Sequence, residues 1–533
     1  MIRLLIYFSV LAATLSYGAP LAAQEQVDLI IRNGRVLDGS GNPWFHADVA
    51  VTGDRIVAVG DLSGVNARRE IDASGLYVAP GFIDVHSHAG GGLATPELSA
   101  ALPLLAQGVT TVFVNPDGGG ETNMVEQRDS LMLDGIGVNV AQMVPHGSVR
   151  RRVMGMEDRA PTPAEMAEMK EILRAGMEAG AFGLSSGPYY APGSYSTTDE
   201  LVQLASVAGE YGGAYASHIR DEADYTIGLV AAVDEVIQIA READVPGVVT
   251  HIKALGPRVW GFSEALVQRI ERARRQGVEV YADQYPYTAS ATSLTGALVP
   301  RWAQVGGDSM LIERIRDPED RARLRLALVE NLDRRGGAER IQFRYFEDDH
   351  SIEGQTLAWL AERRGEAAPD VVLDLLEAGG ASIVSFNMAD DDVERLMRQP
   401  WTMTASDGDL VPMGEGVPHP RSYGTHPRKI RLYVVEKGVM GLPAAIRSMT
   451  SLPASVYRVA DRGVIREGAF ADIVVFDLAE INDPATFQEP HQLAEGMSYV
   501  LVNGEFALDE GQFGEDLYGR VLNRQNTPKL EIR

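Results

Sequence analysis

Apolar runs that alternate with helical patterns constrain the fold of this chain more than any other feature. Eight runs have the length and the Val, Ile, Phe and Ala content of strands: FIDVHSH, TTVFVNP, VNVAQMVPHG, GAFGLSSG, GAYASHIR, PGVVTHIK, VEVYADQYPY and TMTASDG. Strands that alternate with helices are typical of a parallel sheet, and eight of them are typical of a closed barrel. The sequence therefore predicts an α/β fold built on a (β/α)₈ barrel.

Two of the intervening helices have recognisable starts. Thr162, Pro163 and Glu165 supply a capping threonine, a proline in the first turn and the glutamate of a capping box. Thr197 and Glu200 repeat the threonine-to-glutamate spacing before the next helical pattern. We therefore expect helices to begin directly after residues 162 and 197.

The seventh and eighth runs are separated by more than a hundred residues of mostly helical pattern. A segment of that length is too long for a plain loop, which indicates an insertion over the barrel mouth at about residues 288–398. Within it, the run SIVSFNM could instead be a barrel strand, which would change the count of eight. The barrel itself is predicted over residues 80–458.

The first 23 residues are typical of a secretory signal peptide. Arg3 precedes an apolar run of about a dozen residues and a small-residue exit, with cleavage expected after Ala22 or Ala23. That run is short for a bilayer span, so an uncleaved anchor is the less favoured alternative. We expect an exported protein, periplasmic or secreted, without a stable membrane anchor.

Charge and cysteine content exclude several classes of function. The formal net charge of −26 argues against nucleic-acid binding and against attraction to anionic membranes. The chain has no cysteine, which excludes disulfides, thiolate metal ligands, a cysteine nucleophile and a lipoprotein anchor.

Polar residues fall at the carboxyl ends of the predicted strands, where barrel active sites are built. The first run ends in His86 and His88, whose alternate spacing places both imidazoles on one side of a strand. His218 and His251 end the fifth and sixth runs, and Asp407 ends the eighth. Histidines and a carboxylate without thiolate suit Zn²⁺ or a similar divalent ion.

A divalent metal site at this position indicates that the protein catalyses a hydrolysis. The ion lowers the pKa of its water to about 7, which supplies hydroxide as the nucleophile, and it polarises the scissile carbonyl. A neighbouring carboxylate can take the proton of the water and pass it to the leaving group. Asp407 is the candidate for this general base and acid.

Longer motifs resemble one family. GFIDVHSH, SHIRDE, THIKALG, ASDG and EGAFADIVVFD are similar to motifs of the amidohydrolase superfamily. PHGSVRRRVMG, AFGLSSGPYYAPG, ADQYPYTAS and HPRSYGTHPR narrow the resemblance to its N-acyl-D-amino-acid deacylase (D-aminoacylase) family, over about residues 27–480. The resemblance implies a barrel joined to a small β-sandwich from both chain ends, which agrees with short β runs at residues 24–79 and 459–533.

The resemblance also implies roles for single residues. His218 and His251 would bind the metal, His86 and His88 would form a second metal position, and Asp407 would be the base. The substrate's carboxylate would be held by Lys253, Tyr285 and Arg421. Ser290 would add a hydrogen bond. Each also has a structural alternative, because the two cations could pair with carboxylates at the barrel rim and Tyr285 could simply pack.

Asp117 marks a departure from the family. After the second strand the family reads G-N-C-G, with the Cys as a metal ligand that can bridge two ions, whereas this chain reads V-N-P-D-G. Alignment on the glycine puts Asp117 at the Cys position, and alignment on Asn115 puts Pro116 there. Asp117 is therefore either a metal ligand or an ordinary turn residue, and one or two Zn²⁺ ions are compatible with the motifs.

Other polar residues receive more modest interpretations. His146 is interpreted as structural, and Glu222 as a support for His218. His419 and His426 follow the eighth strand and are not expected to be ligands.

The leading hypothesis is hydrolysis of N-acyl-D-amino acids to a carboxylate and the free D-amino acid. A dipeptidase that releases a C-terminal D-residue from short peptides and a cyclic-amide hydrolase are the enzyme alternatives. A secreted binding protein with a depleted metal site is the non-enzymatic one. The missing Cys favours the last alternative, and the retained histidines and Asp407 oppose it.

Overall fold

The computed structural model describes residues 26–524, so the predicted signal segment lies outside the described residues. The strands in chain order are β1 (Val27–Val36), β2 (Phe45–Thr52), β3 (Arg55–Gly60), β4 (Ala67–Asp72), β5 (Tyr77–Pro80), β6 (Phe82–Asp84), β7 (Val109–Val114), β8 (Asn139–Gln142), β9 (Val144–Pro145), β10 (Gly183–Ser186), β11 (Ala214–Ser217), β12 (Gly247–Val249), β13 (Val280–Gln284), β14 (Ser290–Ser293), β15 (Ile341–Tyr345), β16 (Ser382–Ser385), β17 (Thr402–Thr404), β18 (Ile473–Phe476), β19 (Met497–Val502), β20 (Glu505–Asp509) and β21 (Gln512–Phe513).

The α-helices are α1 (Gly90–Leu93), α2 (Leu102–Ala106), α3 (Met124–Met132), α4 (His146–Met154), α5 (Pro163–Glu178), α6 (Thr198–Glu210), α7 (Leu229–Ala243), α8 (Ser263–Arg275), α9 (Leu294–Leu298), α10 (Asp308–Arg316), α11 (Pro318–Arg334), α12 (Leu357–Arg364), α13 (Ala368–Glu377), α14 (Asp390–Met397), α15 (Arg421–Arg428), α16 (Leu442–Met449) and α17 (Ser451–Tyr457). A π-helix, Lys429–Glu436, continues α15.

A closed parallel barrel forms the centre of the molecule. One sheet runs β17-β13-β12-β11-β10-β9 and a second runs β6-β7-β8, with β8 and β9 forming the two halves of the third barrel strand. The ring closes through a parallel bridge between Ser87 and Gly408. The predicted (β/α)₈ barrel is confirmed, and every residue of β7 is buried, as expected where a strand is covered on both faces.

The outer helices begin and pack as their sequences indicate. Thr162 and Glu165 form the predicted capping box at the start of α5, with Pro163 in the first turn. Thr197 caps α6 through the backbone N–H of Glu200. Helix α7 buries one face, with residues at helical spacing facing the strands: Leu229, Ala232, Val233, Val236, Ile237 and Ala240.

The segment between β13 and β17 is a separate layer above the barrel mouth. Strands β14, β16 and β15 form an antiparallel sheet that packs with α9–α13 around its own apolar core. SIVSFNM does contain a strand, β16, but that strand belongs to this sheet. The count of eight barrel strands therefore stands.

Both ends of the described chain meet in one nine-stranded sheet. β5 pairs with β18, which joins the N-terminal strands to β19, β20 and β21. Strand β1 pairs with β4 along its first half and with β5 near its end, and the sheet encloses a core that includes Val49, Val78 and Val475.

None of the helices in residues 26–524 has the length and apolar character that a membrane crossing requires.

Candidate active site

The carboxyl ends of five barrel strands deliver metal-ligating side chains to one point. Because these ends meet at the same face of the barrel, side chains far apart in sequence become neighbours. They separate into two overlapping groups that share Asp117: His86, His88, Asp117 and Asp407 in one, and Asp117, His218 and His251 in the other.

Asp117 lies at the centre of this cluster. Its Oδ1 is 3.3 Å from His86 Nε2 and 3.4 Å from His251 Nε2. Its Oδ2 is 3.6 Å from His88 Nε2 and 3.7 Å from His218 Nδ1. Asp407 Oδ1 completes the first group, at 3.4 Å from His86 Nε2 and 3.1 Å from His88 Nε2.

These separations fit a divalent metal. Ligand atoms at about 2.1 Å from a tetrahedral zinc are about 3.4 Å apart, which matches the spacings above. Polar atoms that should be satisfied when buried also have no hydrogen-bond partner among the described residues: His86 Nε2, Asp117 Oδ1 and both ring nitrogens of His218. Nitrogen and oxygen donors without sulfur suit Zn²⁺.

A left-handed turn directs Asp117 into the cluster. The segment 116–118 follows β7 as a single 3₁₀ turn, with Asp117 at φ 54° and Gly118 at φ 72°. A Cβ on Gly118 would lie 3.0 Å from the backbone nitrogens of Gly147 and Gly187, so only glycine fits there. Asp117 is therefore a turn residue and a cluster residue at once.

Backbone strain is concentrated at this site. Asp117, His251 and Asp407 all have positive φ, at 54°, 34° and 50°. Such conformations are uncommon for residues other than glycine and persist where the surrounding structure enforces them. Each strained residue presents its side chain to the same cluster.

Asp407 is buried against a cation. Arg421 Nη1 lies 2.7 Å from Asp407 Oδ2, and both residues are at most 5% exposed. Burial alone would raise the pKa of Asp407, but Arg421 and His251 outweigh it and hold that pKa well below its usual range. The carboxylate is therefore ionised at neutral pH and able to accept a proton.

Glu222 connects the second group to Lys253. Its carboxylate binds the Lys253 ammonium, and its Oε1 lies 3.2 Å from His251 Nδ1. Its Oε2 is 3.7 Å from His218 Nε2, so Glu222 contacts both histidines and not His218 alone. Lys253 Nζ also lies 2.8 Å from His251 Nδ1.

The other two predicted substrate residues line the same cavity. Tyr285 is 2% exposed, and its hydroxyl has no hydrogen-bond partner among the described residues. The Arg421 guanidinium lies 4.8 Å from its ring centroid. Ser290, on β14 of the upper layer, shares a hydrogen bond of 3.0 Å with Asn387. Lys253, Tyr285, Ser290 and Arg421 thus surround one space beside the cluster.

Sequence reasoning missed several residues of this cavity. Asp409, two residues beyond Asp407, binds Arg344 of β15 and so connects the upper layer to the barrel. Tyr190 and Arg335 also line the cavity. The motif PYY placed Tyr190 in a matched stretch, but no local pattern in the sequence indicates Arg335 or Arg344.

Three other histidines, His146, His419 and His426, lie outside both ligand groups. His146 Nε2 bonds Glu200 Oε1 at 2.9 Å, and Arg150 binds the other oxygen of that carboxylate, so His146 belongs to a buried network. His419 Nε2 contacts the Ala289 carbonyl at 2.9 Å, and His426 stacks on Phe82. Neither enters the two ligand groups.

A closed parallel barrel with a histidine and carboxylate cluster at its carboxyl face defines the amidohydrolase class of metal-dependent hydrolases. The amidohydrolase family model matches residues 69–507. D-aminoacylase from Alcaligenes xylosoxydans xylosoxydans is 36% identical over 524 residues, which cover 94% of this chain and 98% of that protein. The chain belongs to the D-aminoacylase (N-acyl-D-amino-acid deacylase) family of amidohydrolases.

Two solved structures are similar over more than nine-tenths of this chain. N-acyl-D-glutamate deacylase from Bordetella bronchiseptica, in complex with zinc and a phosphonate mimic of the tetrahedral intermediate, is 35% identical with a TM-score of 0.80. The match covers 94% of this chain and all of that one. A D-aminoacylase with a binuclear metal centre is 32% identical over 93% of this chain and all of its own, also with a TM-score of 0.80.

Proposed function

We propose that this chain hydrolyses the amide bond of N-acyl-D-amino acids and releases a carboxylate and the free D-amino acid. The observation that carries the proposal is a metal-ligating cluster centred on Asp117 in a cavity that also contains Lys253 and Arg421. The first feature suits metal-assisted hydrolysis of an amide, and the second suits recognition of an α-carboxylate. Relatives named as a D-aminoacylase and an N-acyl-D-glutamate deacylase support the reaction class.

The two ligand groups are proposed to hold one or two divalent ions, with Zn²⁺ the best match to the donors. A bound ion supplies Lewis acidity, which acidifies a water and polarises a carbonyl oxygen. Asp117, as the residue common to both groups, takes the position at which the family carries a bridging Cys. Each of its oxygens lies near one histidine of each group, so Asp117 can contribute to either metal position.

Asp407 is proposed to move the proton. It is ionised and lies at the mouth of the barrel, so it can accept a proton from the attacking water and donate it to the leaving nitrogen. Arg421 keeps the carboxylate ionised before the reaction, and burial favours its protonated form once the proton has arrived.

Lys253, Tyr285 and Arg421 are proposed to bind the α-carboxylate of the substrate, with Ser290 adding a hydrogen bond. The unpartnered Tyr285 hydroxyl supports this role, because a buried donor without an acceptor is costly unless a ligand supplies one. In the free protein Lys253 and Arg421 are paired with Glu222 and Asp407, so the substrate carboxylate joins existing ion pairs.

A substrate panel with and without metal tests the function. N-acetyl-D-amino acids should be hydrolysed, and their L-enantiomers, L-Xaa-D-Xaa dipeptides and cyclic amides should be poor substrates. Removal of metal with a chelator should lower activity by more than about 100-fold, and added Zn²⁺ should restore it, because the cluster residues alone cannot activate water. Circular dichroism of the chelated protein controls for unfolding. Full activity without metal, or preference for a dipeptide or cyclic amide, would reject the proposal.

We also propose that the mature enzyme is exported after removal of residues 1–23. The charged start, apolar run and small-residue exit of this segment support export. Mass spectrometry of the protein recovered from periplasm or medium should show a chain that begins at residue 23 or 24. Recovery of the intact chain from the cell interior alone would contradict export without affecting the proposed reaction.

A further inference from the structure

Arg335 is a buried guanidinium on the wall of the active-site cavity. It follows α11 directly, is 1% exposed, and lines the same space as His218, Glu222 and Ser290.

All of its hydrogen-bond partners are neutral. Arg335 Nε donates to the Ala297 carbonyl and Nη2 donates to the Tyr189 hydroxyl, each at 3.2 Å. Nη1 donates to the Asn387 side-chain oxygen at 3.2 Å, in the amide orientation that satisfies its neighbours. These bonds use three of the five N–H donors of a guanidinium.

A buried cation without a carboxylate is energetically unusual. Loss of hydration disfavours an unpaired buried charge, and proteins normally pair such a group with an acid. No carboxylate of the described residues forms an ion pair with Arg335, whereas three other cations of the cavity wall are each paired with one. Lys253 binds Glu222, Arg421 binds Asp407, and Arg344 binds Asp409. Arg151, also on the cavity wall, is exposed, so water can balance its charge.

The position of Arg335 places it next to the proposed α-carboxylate site. Asn387 contacts both Ser290 and Arg335, so the guanidinium lies one amide group behind Ser290. Tyr189, which accepts from Arg335, packs on His218 with ring centroids 4.9 Å apart. Arg335 is therefore near both the carboxylate site and the metal cluster, but it belongs to neither.

We propose that Arg335 binds the side-chain carboxylate of the substrate, so that the enzyme prefers N-acyl-D-amino acids with an acidic side chain. This inference rests on the proposed deacylase function and names its substrate class. The α-carboxylate is accounted for by Lys253 and Arg421, and a second anion would supply the charge that Arg335 lacks. Aspartate and glutamate carry their two carboxylates within a few bonds, which suits two adjacent subsites.

The test compares N-acetyl-D-glutamate with N-acetyl-D-leucine. Wild-type enzyme should favour the glutamate substrate by at least about tenfold in kcat/KM, because one charge-assisted hydrogen bond contributes about that factor. Arg335→Gln should lower kcat/KM for N-acetyl-D-glutamate by about 50-fold, since the charge is lost. Its kcat/KM for N-acetyl-D-leucine should change by less than about threefold, because no anion is involved there.

Two variants serve as controls. Arg314→Gln removes another guanidinium of the upper layer, one that donates to the Ala303 and Val305 carbonyls outside the cavity, and should leave the preference unchanged. Arg421→Ala should lower activity on both substrates, because both have an α-carboxylate. Thermal unfolding of each variant shows whether the fold is intact. If Arg335→Gln does not fold, Arg335→Lys replaces it, and it should lower the preference because lysine cannot reproduce the guanidinium fork.

The outcomes separate the two proposals. If wild-type enzyme hydrolyses neither substrate nor any other N-acetyl-D-amino acid, the proposed function is wrong. If it hydrolyses N-acetyl-D-leucine at least as well as N-acetyl-D-glutamate, the function stands and the Arg335 subsite is rejected. The subsite is also rejected if the folded Arg335 variant loses both activities equally or keeps the wild-type preference.

Discussion

Asp407→Asn is expected to lower kcat/KM for N-acetyl-D-amino acids by about 10⁴-fold, the upper range of general acid–base catalysis. The amide keeps the size of the side chain but cannot accept the proton of the attacking water. It also removes the negative charge that now faces Arg421 and His88. Steady-state kinetics with zinc content measured on the same sample would separate loss of proton transfer from loss of metal.

Asp409→Asn is the matched control for this prediction. Asp409 lies in the same loop, lines the same cavity and is paired with Arg344, but it belongs to neither ligand group. Its replacement should lower kcat/KM by no more than about tenfold, as expected for loss of one ion pair. If Asp407→Asn retains activity within tenfold of wild type, Asp407 is not the proton carrier.

Asp117→Asn is expected to weaken zinc binding by more than about 100-fold. Loss of a residue that only supports a metal ligand typically lowers metal affinity about 10- to 100-fold, so loss of a ligand itself should lower it further. The neutral amide cannot supply the negative oxygens that face His86, His251, His88 and His218. Zinc per chain after dialysis, measured by mass spectrometry, should fall, and activity at low zinc should fall with it.

Pro116→Ala controls for the turn around Asp117. It changes the neighbouring residue of the same 3₁₀ segment but removes no ligand atom, so zinc content should remain at the wild-type value. Wild-type zinc content and activity in Asp117→Asn would show that Asp117 serves only the turn.

The fold and the strand-end histidines could be predicted because each depends on a local pattern. Alternation along one strand places His86 and His88 together, and the barrel topology brings His218 and His251 to the same face. For Asp117 the sequence left two interpretations open, because Asn-Pro-Asp-Gly is equally compatible with a plain turn. The structure shows that the turn itself directs the carboxylate inward.

The pairing of individual side chains could not be predicted from the sequence, because it depends on contacts between segments that are distant in the chain. Thr197 caps its helix as expected, and Glu200 has the spacing of a capping-box residue, but the Glu200 carboxylate binds His146 and Arg150 from α4. An ion pair with Arg150 together with a hydrogen bond to the His146 ring gains more than a bond to one backbone N–H. Arg335 was missed for the same reason, since its position at the cavity depends on how the upper layer docks on the barrel.

The sheet that joins β5 to β18 makes the order of synthesis important for folding. Val78 in β5 pairs with Val475 in β18, so the N-terminal strands cannot complete their sheet until nearly the whole chain has been made. Contacts of such long sequence separation form late, because a large loop must close first. We therefore expect the nascent chain to remain without its final tertiary structure until translation is nearly complete, which is the state that a secretion channel for unfolded polypeptides accepts.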